Sequence, residues 1–222
     1  MRFLDKLLGN ETYEQEMKPD SIFPMNIEPQ ASYEIIVDTK IREKYKKGWE
    51  NKKRKEDPIE VVIHGTAGGT SITDLLRWMA GGERAKEYLK GIALFHYGIG
   101  REGETIEVID TDYWVYHSSS GSYDKKTIGI EMLNPSKWND AEYTVEQYEA
   151  LFSLIKNHLF PKYSSITRIT SHRYNTFRFK ASNKKQCPGP KFDWGQVNTF
   201  LRQNDYEWDE DGNLRYNIMK WR

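Results

Sequence analysis

The sequence predicts an α/β protein with a mixed central β-sheet and helices on both of its faces. Short segments rich in β-branched residues, typical of buried strands, recur along the chain after residue 58. Segments with apolar residues at helical spacing lie between these strands. A glycine-containing turn at Arg101-Glu102-Gly103 separates two strand-like segments and predicts a hairpin.

The composition restricts the classes of function. The 222 residues, 37% of them hydrophobic, are enough for one substantial domain with a core. The 33 basic and 33 acidic residues cancel, which argues against nucleic acid as the partner. No stretch of eighteen apolar residues occurs, so no membrane span is predicted. The first ten residues mix charged and apolar side chains, so we expect synthesis in the cytoplasm without a signal peptide.

Three regions follow from changes in composition. Residues 1–57 form a charged N-terminal extension, interpreted as a solvated helix or mobile arm, with a wall-binding or nucleic-acid patch as the alternative. Asp57-Pro58 marks the boundary to a central domain, residues 58–203. Residues 204–222 are an aromatic tail whose Asp-Gly pair predicts a hairpin.

The elements of the central domain are predicted in order. "IEVVIHG" is a buried strand that ends near His64, and "TSITDLLRWMAGG", residues 70–82, is a helix. "IALFHYGI" and "ETIEVID" form the hairpin, and "TIGIEML" is a further strand. "TVEQYEALFSLIKNHLF" is a helix with a capping box at Thr144 and Gln147. "SITRITSH" is a strand ending at His172, and "DWGQVNTFL" is the last helix.

Two predicted strands therefore end in histidine, and the chain has a single cysteine, Cys187, in a Pro-Gly-Pro turn. Imidazole and thiolate are zinc ligands, and a catalytic zinc takes three protein ligands with one position left for water. Each residue taken alone has an ordinary explanation, a hydrogen-bonded histidine or a small buried thiol. Spacing alone leaves both interpretations open.

The order of motifs "VVIHGTAGG", "FHYGIGREGE", "YHSSS", "TIGIEM", "ITSHRY" and "KQCPGPKFDW" resembles the zinc-dependent type 2 N-acetylmuramoyl-L-alanine amidases. This family includes phage endolysins, recycling amidases and peptidoglycan recognition proteins. The resemblance spans about residues 59–203, and makes residues 58–203 the amidase catalytic domain. It implies Zn²⁺ as the cofactor, with His64, His172 and Cys187 as ligands.

The same resemblance assigns the catalytic groups. It implies that Glu131 is the general base and that Lys185 stabilises the oxyanion. Without the resemblance, Glu131 is an ordinary carboxylate at a sheet edge and Lys185 a solvated loop lysine. Some members place a tyrosine where this chain has Phe95, so the tyrosine-assisted route requires Tyr97 to take its place.

Further positions are expected to bind substrate. His117 matches a histidine that contacts substrate in the family, and a hydrogen-bonded loop histidine is the alternative. Trp114 and Trp138 are candidates for stacking on sugar rings, with core packing as the alternative. We therefore expect a zinc amidase of the phage endolysin type that acts on cell-wall peptidoglycan. The rivals are a non-catalytic peptidoglycan-binding module and a zinc peptidase that cuts elsewhere in the stem peptide.

Overall fold

The computed structural model describes residues 34–37, 39–69, 71–72, 95–118, 120–179, 186–204, 207–208 and 219–220. Its centre is a six-stranded sheet with strand order β1-β4-β3-β5-β2-β6. The strands are β1 Ile35–Val37, β2 Glu60–Gly65, β3 Tyr97–Ile99, β4 Thr105–Glu107, β5 Thr127–Met132 and β6 Arg168–Ser171. Strands β3 and β4 are antiparallel and the other neighbours are parallel, so the predicted mixed sheet is confirmed.

The helices are α1 Thr39–Trp49, α2 Gly121–Asp124, α3 Val145–Leu154, α4 Phe160–Lys162, α5 His172–Arg178 and α6 Trp194–Gln203. A π-helical turn, Ile155–Leu159, joins α3 to α4. The predicted capping box is present, since the Gln147 amide donates to Thr144 Oγ1 at 3.2 Å and the Thr144 amide donates to Gln147 Oε1 at 3.1 Å. Of the helix predicted at 70–82, all but Ser71 and Ile72 lies outside the described residues. No helix in the described part of the chain is long and apolar enough to cross a membrane.

The two faces of the sheet have different coverings. Helices α3 and α6 pack on the face that carries Val61 and Ile63, where the rings of Phe152 and Phe200 stack at 4.4 Å. Helix α5 lies on the opposite face, where Asn175 Nδ2 donates to the buried carboxylate of Glu60 at 3.4 Å. Side chains alternate along a strand, so the face with Glu60 also carries His64.

The described part of the N-terminal extension packs on this sheet. Strand β1 pairs in parallel with β4, and the charged segment forms α1, whose Arg42 pairs with Glu107. Arg54 donates to the carbonyl oxygens of Thr111 at 2.7 Å and Thr127 at 2.6 Å. Residues 34–57 therefore add an edge strand and a helix to the central architecture. In the tail, β7 Glu207–Trp208 pairs in antiparallel fashion with β8 Met219–Lys220.

Candidate active site

Two of the predicted site residues lie side by side on adjacent strands. In the parallel β2–β5 pair, His64 is in register with Glu131. Residues in register on neighbouring strands project from the same face, and His64 Nδ1 lies 3.9 Å from Glu131 Oε1. Both residues are close to the carboxyl ends of their strands, where open α/β sheets bind their ligands.

His172 reaches the same place from the next strand. Strand β6 ends at Ser171, whose side chain caps α5 by accepting a hydrogen bond from the Tyr174 amide at 2.9 Å. His172 is thus the first residue of a helix that begins at the sheet edge. Its Nδ1 lies 3.1 Å from Nδ1 of His64.

Cys187 comes from the loop before α6 and is held by the end of β2 and the first turn of α5. Its Sγ accepts a hydrogen bond from the Gly65 amide at 3.0 Å, and its carbonyl oxygen accepts one from the Arg173 amide at 2.8 Å. An amide that donates to sulfur favours the thiolate form, the form that binds metals. The residue is buried, with 8% of its surface exposed.

The donor set fits Zn²⁺. The ligand atoms of His64, His172 and Cys187 all lie within 4.8 Å of one another. Two nitrogens that each lie about 2.0 Å from a tetrahedral zinc are about 3.3 Å apart, close to the separation of the two imidazole nitrogens. Imidazole nitrogen and thiolate sulfur are both donors that zinc takes, and three protein ligands leave the fourth position of a catalytic site open. The three residues therefore have both the chemistry and the spacing for this ion.

Burial keeps His64 and its neighbour His117 neutral, and neutral imidazole is the form that binds metals. Burial, with the neighbouring His172 as the next cause, lowers the pKa of His64 well below its usual 6.5. Burial also lowers the pKa of His117 to about 3. Neither ring carries a positive charge at neutral pH, so neither one repels a cation.

Glu131 has an unusual environment for a carboxylate. Burial raises its pKa to about 8, and no described residue donates a hydrogen bond to its buried Oε2. Gly98 of β3 is in register with Glu131, and Phe95 and Ile72 lie against this glycine. Apolar side chains therefore pack against the strand next to Glu131. An unpartnered buried oxygen beside a metal ligand set is available for a proton or a water molecule.

His117 is placed behind His64. Its Nδ1 is 3.1 Å from Nε2 of His64, and its own Nε2 is 2.9 Å from Thr127 Oγ1 and 3.8 Å from Asp124 Oδ1. Only 8% of its surface is exposed. The structure thus gives His117 the candidate metal ligand His64 as its partner, while the expected contact with substrate stays a prediction.

Two predicted substrate contacts are not brought to this cluster. Tyr97 is in register with Ile130, so it points to the face opposite Glu131, where its hydroxyl donates to Glu107 at 3.0 Å. The idea that Tyr97 replaces a tyrosine at Phe95 is therefore corrected, since β3 begins only at Tyr97 and strand alternation does not extend back to position 95. The Trp114 ring contacts the ammonium groups of Lys52 and Lys125, each at 5.3 Å.

Lys125 precedes the amino end of β5, whereas Glu131 is near its carboxyl end, so Trp114 lies away from the candidate metal ligands. Trp138, with 71% of its surface accessible, directly precedes Asn139, which bonds to the residues after His64. The second predicted catalytic residue, Lys185, lies outside the described residues.

Sequence reasoning missed the loop after β5, which is hydrogen-bonded to residues next to the candidate ligands His64 and Cys187. Asn139 accepts a hydrogen bond from the Ala67 amide at 2.7 Å and donates to the Gly65 carbonyl at 3.3 Å. The Tyr143 hydroxyl donates to the Pro188 carbonyl at 2.8 Å. These contacts tie the loop after β5 to the residues that follow His64 and Cys187. Nothing in the sequence marks Asn139 for this role, since its partners are distant in the chain.

The comparisons with known proteins agree with this fold. Residues 54–190 match the N-acetylmuramoyl-L-alanine amidase family, Amidase_2. The structure is similar to the amidase LysC from Clostridium intestinale URNW, with 20% identity, a TM-score of 0.50, and coverage of 65% of this chain and 85% of that one.

It is also similar to the Ph2119 endolysin from Thermus scotoductus MAT2119 bacteriophage Ph2119, with 17% identity, a TM-score of 0.52, and coverage of 75% and 98%. For PlyL the identity is 15%, the TM-score 0.53, and the coverage 77% and 96%. No curated protein matches the sequence significantly. The family match covers more than half of the chain, which therefore belongs to the type 2 N-acetylmuramoyl-L-alanine amidase family.

Proposed function

We propose that this protein is a zinc-dependent amidase that acts on the cell wall as a phage-type endolysin. Its substrate is the amide bond between the lactyl group of N-acetylmuramic acid and the L-alanine of the peptidoglycan stem. The observation that carries the proposal is the convergence of His64, His172 and Cys187 beside Glu131, in a chain of the amidase family.

His64, His172 and Cys187 would hold the ion through Nδ1, Nδ1 and Sγ. When bound there, Zn²⁺ supplies a Lewis acid that polarises the scissile carbonyl and lowers the pKa of a water ligand to about 7. The Gly65 amide stabilises the thiolate of Cys187, and burial keeps His64 neutral. A neutral imidazole and a thiolate are the protonation states in which these residues bind zinc.

Glu131 is the proposed general base. Its carboxylate lies next to the ligand His64, and its Oε2 has no hydrogen-bond partner among the described residues. In the proposed reaction Glu131 acts in its ionised form, which a cation bound beside His64 would favour. Its Oε2 accepts the proton of the attacking water and then passes it to the leaving amine.

Lys185 is proposed from the sequence to stabilise the oxyanion that forms on the scissile carbonyl. It lies two residues before Cys187, and one such donor contributes about 3–4 kcal/mol to transition-state stabilisation in acyl transfer. Trp138, exposed on the loop that Asn139 fixes against Gly65, is the proposed contact for a sugar ring of the glycan strand.

The test is digestion of purified peptidoglycan with the zinc-loaded protein, followed by mass spectrometry of the released material. Free stem peptides that begin at L-alanine support the amidase. Cuts within the stem peptide would instead identify a zinc peptidase, and binding without cleavage would identify a peptidoglycan-binding module. Glu131→Gln is the matched control, because it retains the metal ligands and removes the proposed base.

A further inference from the structure

We infer that His117 is a positioning residue, which holds the imidazole of His64 in the tautomer that leaves Nδ1 free for the metal. Thr127 and Asp124 lie behind His117 and set its own orientation. This inference rests on the proposed zinc site, and it assigns His117 a role different from contact with the substrate.

The first step concerns the two nitrogens of His64. Its Nδ1 faces Nδ1 of His172 at 3.1 Å, and its Nε2 faces Nδ1 of His117 at 3.1 Å. A neutral imidazole carries one proton, so a His64 that binds metal through Nδ1 carries it on Nε2. That N–H then needs an acceptor, and His117 Nδ1 is within hydrogen-bonding distance.

The second step concerns the proton of His117. If its Nδ1 accepts, the proton of this ring resides on Nε2. Thr127 Oγ1 lies 2.9 Å from that nitrogen, and Asp124 Oδ1 lies 3.8 Å from it. Asp124 is itself fixed, because it accepts a hydrogen bond from the Ser118 amide at 2.8 Å. With one proton on each ring, His64 can therefore donate to His117, and His117 can donate to Thr127.

The third step concerns the space beneath His64. A side chain at Gly129 would place its Cβ 2.8 Å from Cγ and Nδ1 of His117, closer than real Cβ atoms approach other atoms. The glycine of "TIGIE" therefore leaves room for this ring on the sheet. The ring centroids of His64 and His117 are 5.2 Å apart in an edge arrangement. Because Gly129 has no side chain, the imidazole of His117 can lie directly against the β5 backbone.

A histidine that binds a metal through one ring nitrogen usually donates the N–H of the other to a fixed acceptor. Loss of that acceptor weakens metal affinity about 10–100-fold. The acceptor here is an imidazole, held in turn by the Thr127 hydroxyl at 2.9 Å, with the Asp124 carboxylate 3.8 Å away. We therefore expect removal of the acceptor at position 117 to weaken zinc binding by a factor in this range.

The experiment measures zinc affinity of the full chain by competition with a chromogenic chelator. His117→Leu removes the acceptor at similar bulk, whereas His117→Asn keeps an amide oxygen near the position of Nδ1. We expect about 10–100-fold weaker binding for the leucine variant and a recovery of most of this loss for the asparagine variant. Thr127→Val, which removes only the partner of Nε2, should give an intermediate loss. His158→Leu, at an exposed histidine of the π-helical turn, is the control and should leave the affinity unchanged.

Urea unfolding of each metal-free variant separates loss of fold from loss of affinity. If wild-type protein does not bind zinc, the proposed metal site fails independently of His117. If wild type binds zinc and both His117 variants bind it within twofold of wild type, the inference is overturned. Equal zinc affinity combined with a raised KM for muropeptide would assign His117 to substrate contact and also overturn it. A loss of equal size in the leucine and asparagine variants would contradict the acceptor role.

Discussion

Replacing Glu131 by glutamine tests the environment of the proposed base through stability as well as through activity. The substitution keeps the shape of the side chain and removes its charge. In the metal-free protein burial raises the pKa of Glu131 from 4.5 to about 8. Burying the ionised carboxylate in the folded state costs free energy, whereas burying the neutral glutamine amide avoids the cost of burying a charge.

The sign and size of the difference in unfolding free energy between wild type and Glu131→Gln follow from proton linkage. The folded-state pKa lies above the unfolded one, so the contribution of Glu131 to stability is fully present below pH 4.5 and is lost as the pH rises through about 8. The two values are about 3.5 pH units apart, and each unit corresponds to about 1.4 kcal/mol, which sets an upper bound near 5 kcal/mol. Because 22% of the side chain is exposed to solvent, we expect about 2 kcal/mol.

The assay is urea unfolding of metal-free wild type and Glu131→Gln at pH 4.5 and pH 8.5. The variant should match wild type at the lower pH and be more stable by about 2 kcal/mol at the higher one. Protonation of the buried histidines affects both proteins equally, so it cancels in the difference. Glu102→Gln, at an exposed glutamate of the β3–β4 turn, is the control for the loss of one surface carboxylate.

A difference in stability that is the same at both pH values would refute the argument from burial. Zinc-loaded Glu131→Gln should also retain the metal and lose about 10²–10⁴-fold in turnover of peptidoglycan, the usual contribution of a general base. Near-normal turnover would remove Glu131 from its proposed role, whatever its effect on stability.

Three further outcomes follow from the same site. Cys187→Ser should lower the zinc content measured by plasma spectrometry well below one ion per chain, and retention of a full ion would remove the thiolate from the ligand set. Gly189→Ala should lower the free energy of unfolding by at least about 2 kcal/mol, because φ is +111° and the new Cβ would meet the Asn139 carbonyl oxygen at 2.0 Å. Gly68→Ala, with φ of +127° and open space around it, is the matched comparison and should cost only about 1 kcal/mol; equal losses would contradict the packing argument. Trp138→Ala should leave stability within about 0.5 kcal/mol, because 71% of the residue is exposed, and reduce binding to peptidoglycan severalfold in a pull-down assay; unchanged binding would exclude the sugar contact.

Local patterns predicted most of the described elements. The β-branched run before His64, the turn at Arg101–Gly103 and the capping box at Thr144 each depend on residues close together in the chain, and each is confirmed. The edge strand β1 was not predicted from the sequence, because it is only three residues long and pairs with a strand about 70 positions away. Such pairing depends on the partner strand and leaves little trace in local composition.

The sequence by itself determined the kind of residues available for chemistry. Two histidines at the ends of predicted strands, a single cysteine and the order of the motifs were sufficient to identify the family and to propose His64, His172 and Cys187 as metal ligands. Those predictions depend on chain order and on residue type, both of which the sequence contains directly.

Only the tertiary structure decided which side chains meet. Tyr97 and His117 both looked like substrate contacts, but the register of β3 with β5 turns Tyr97 to the opposite face, and the absence of a side chain at Gly129 admits His117 behind His64. The physical reason is that a shift of one residue in strand register exchanges the two faces of a sheet. Register is set by packing and hydrogen bonds between segments far apart in the chain, so it emerges only when the sheet is assembled.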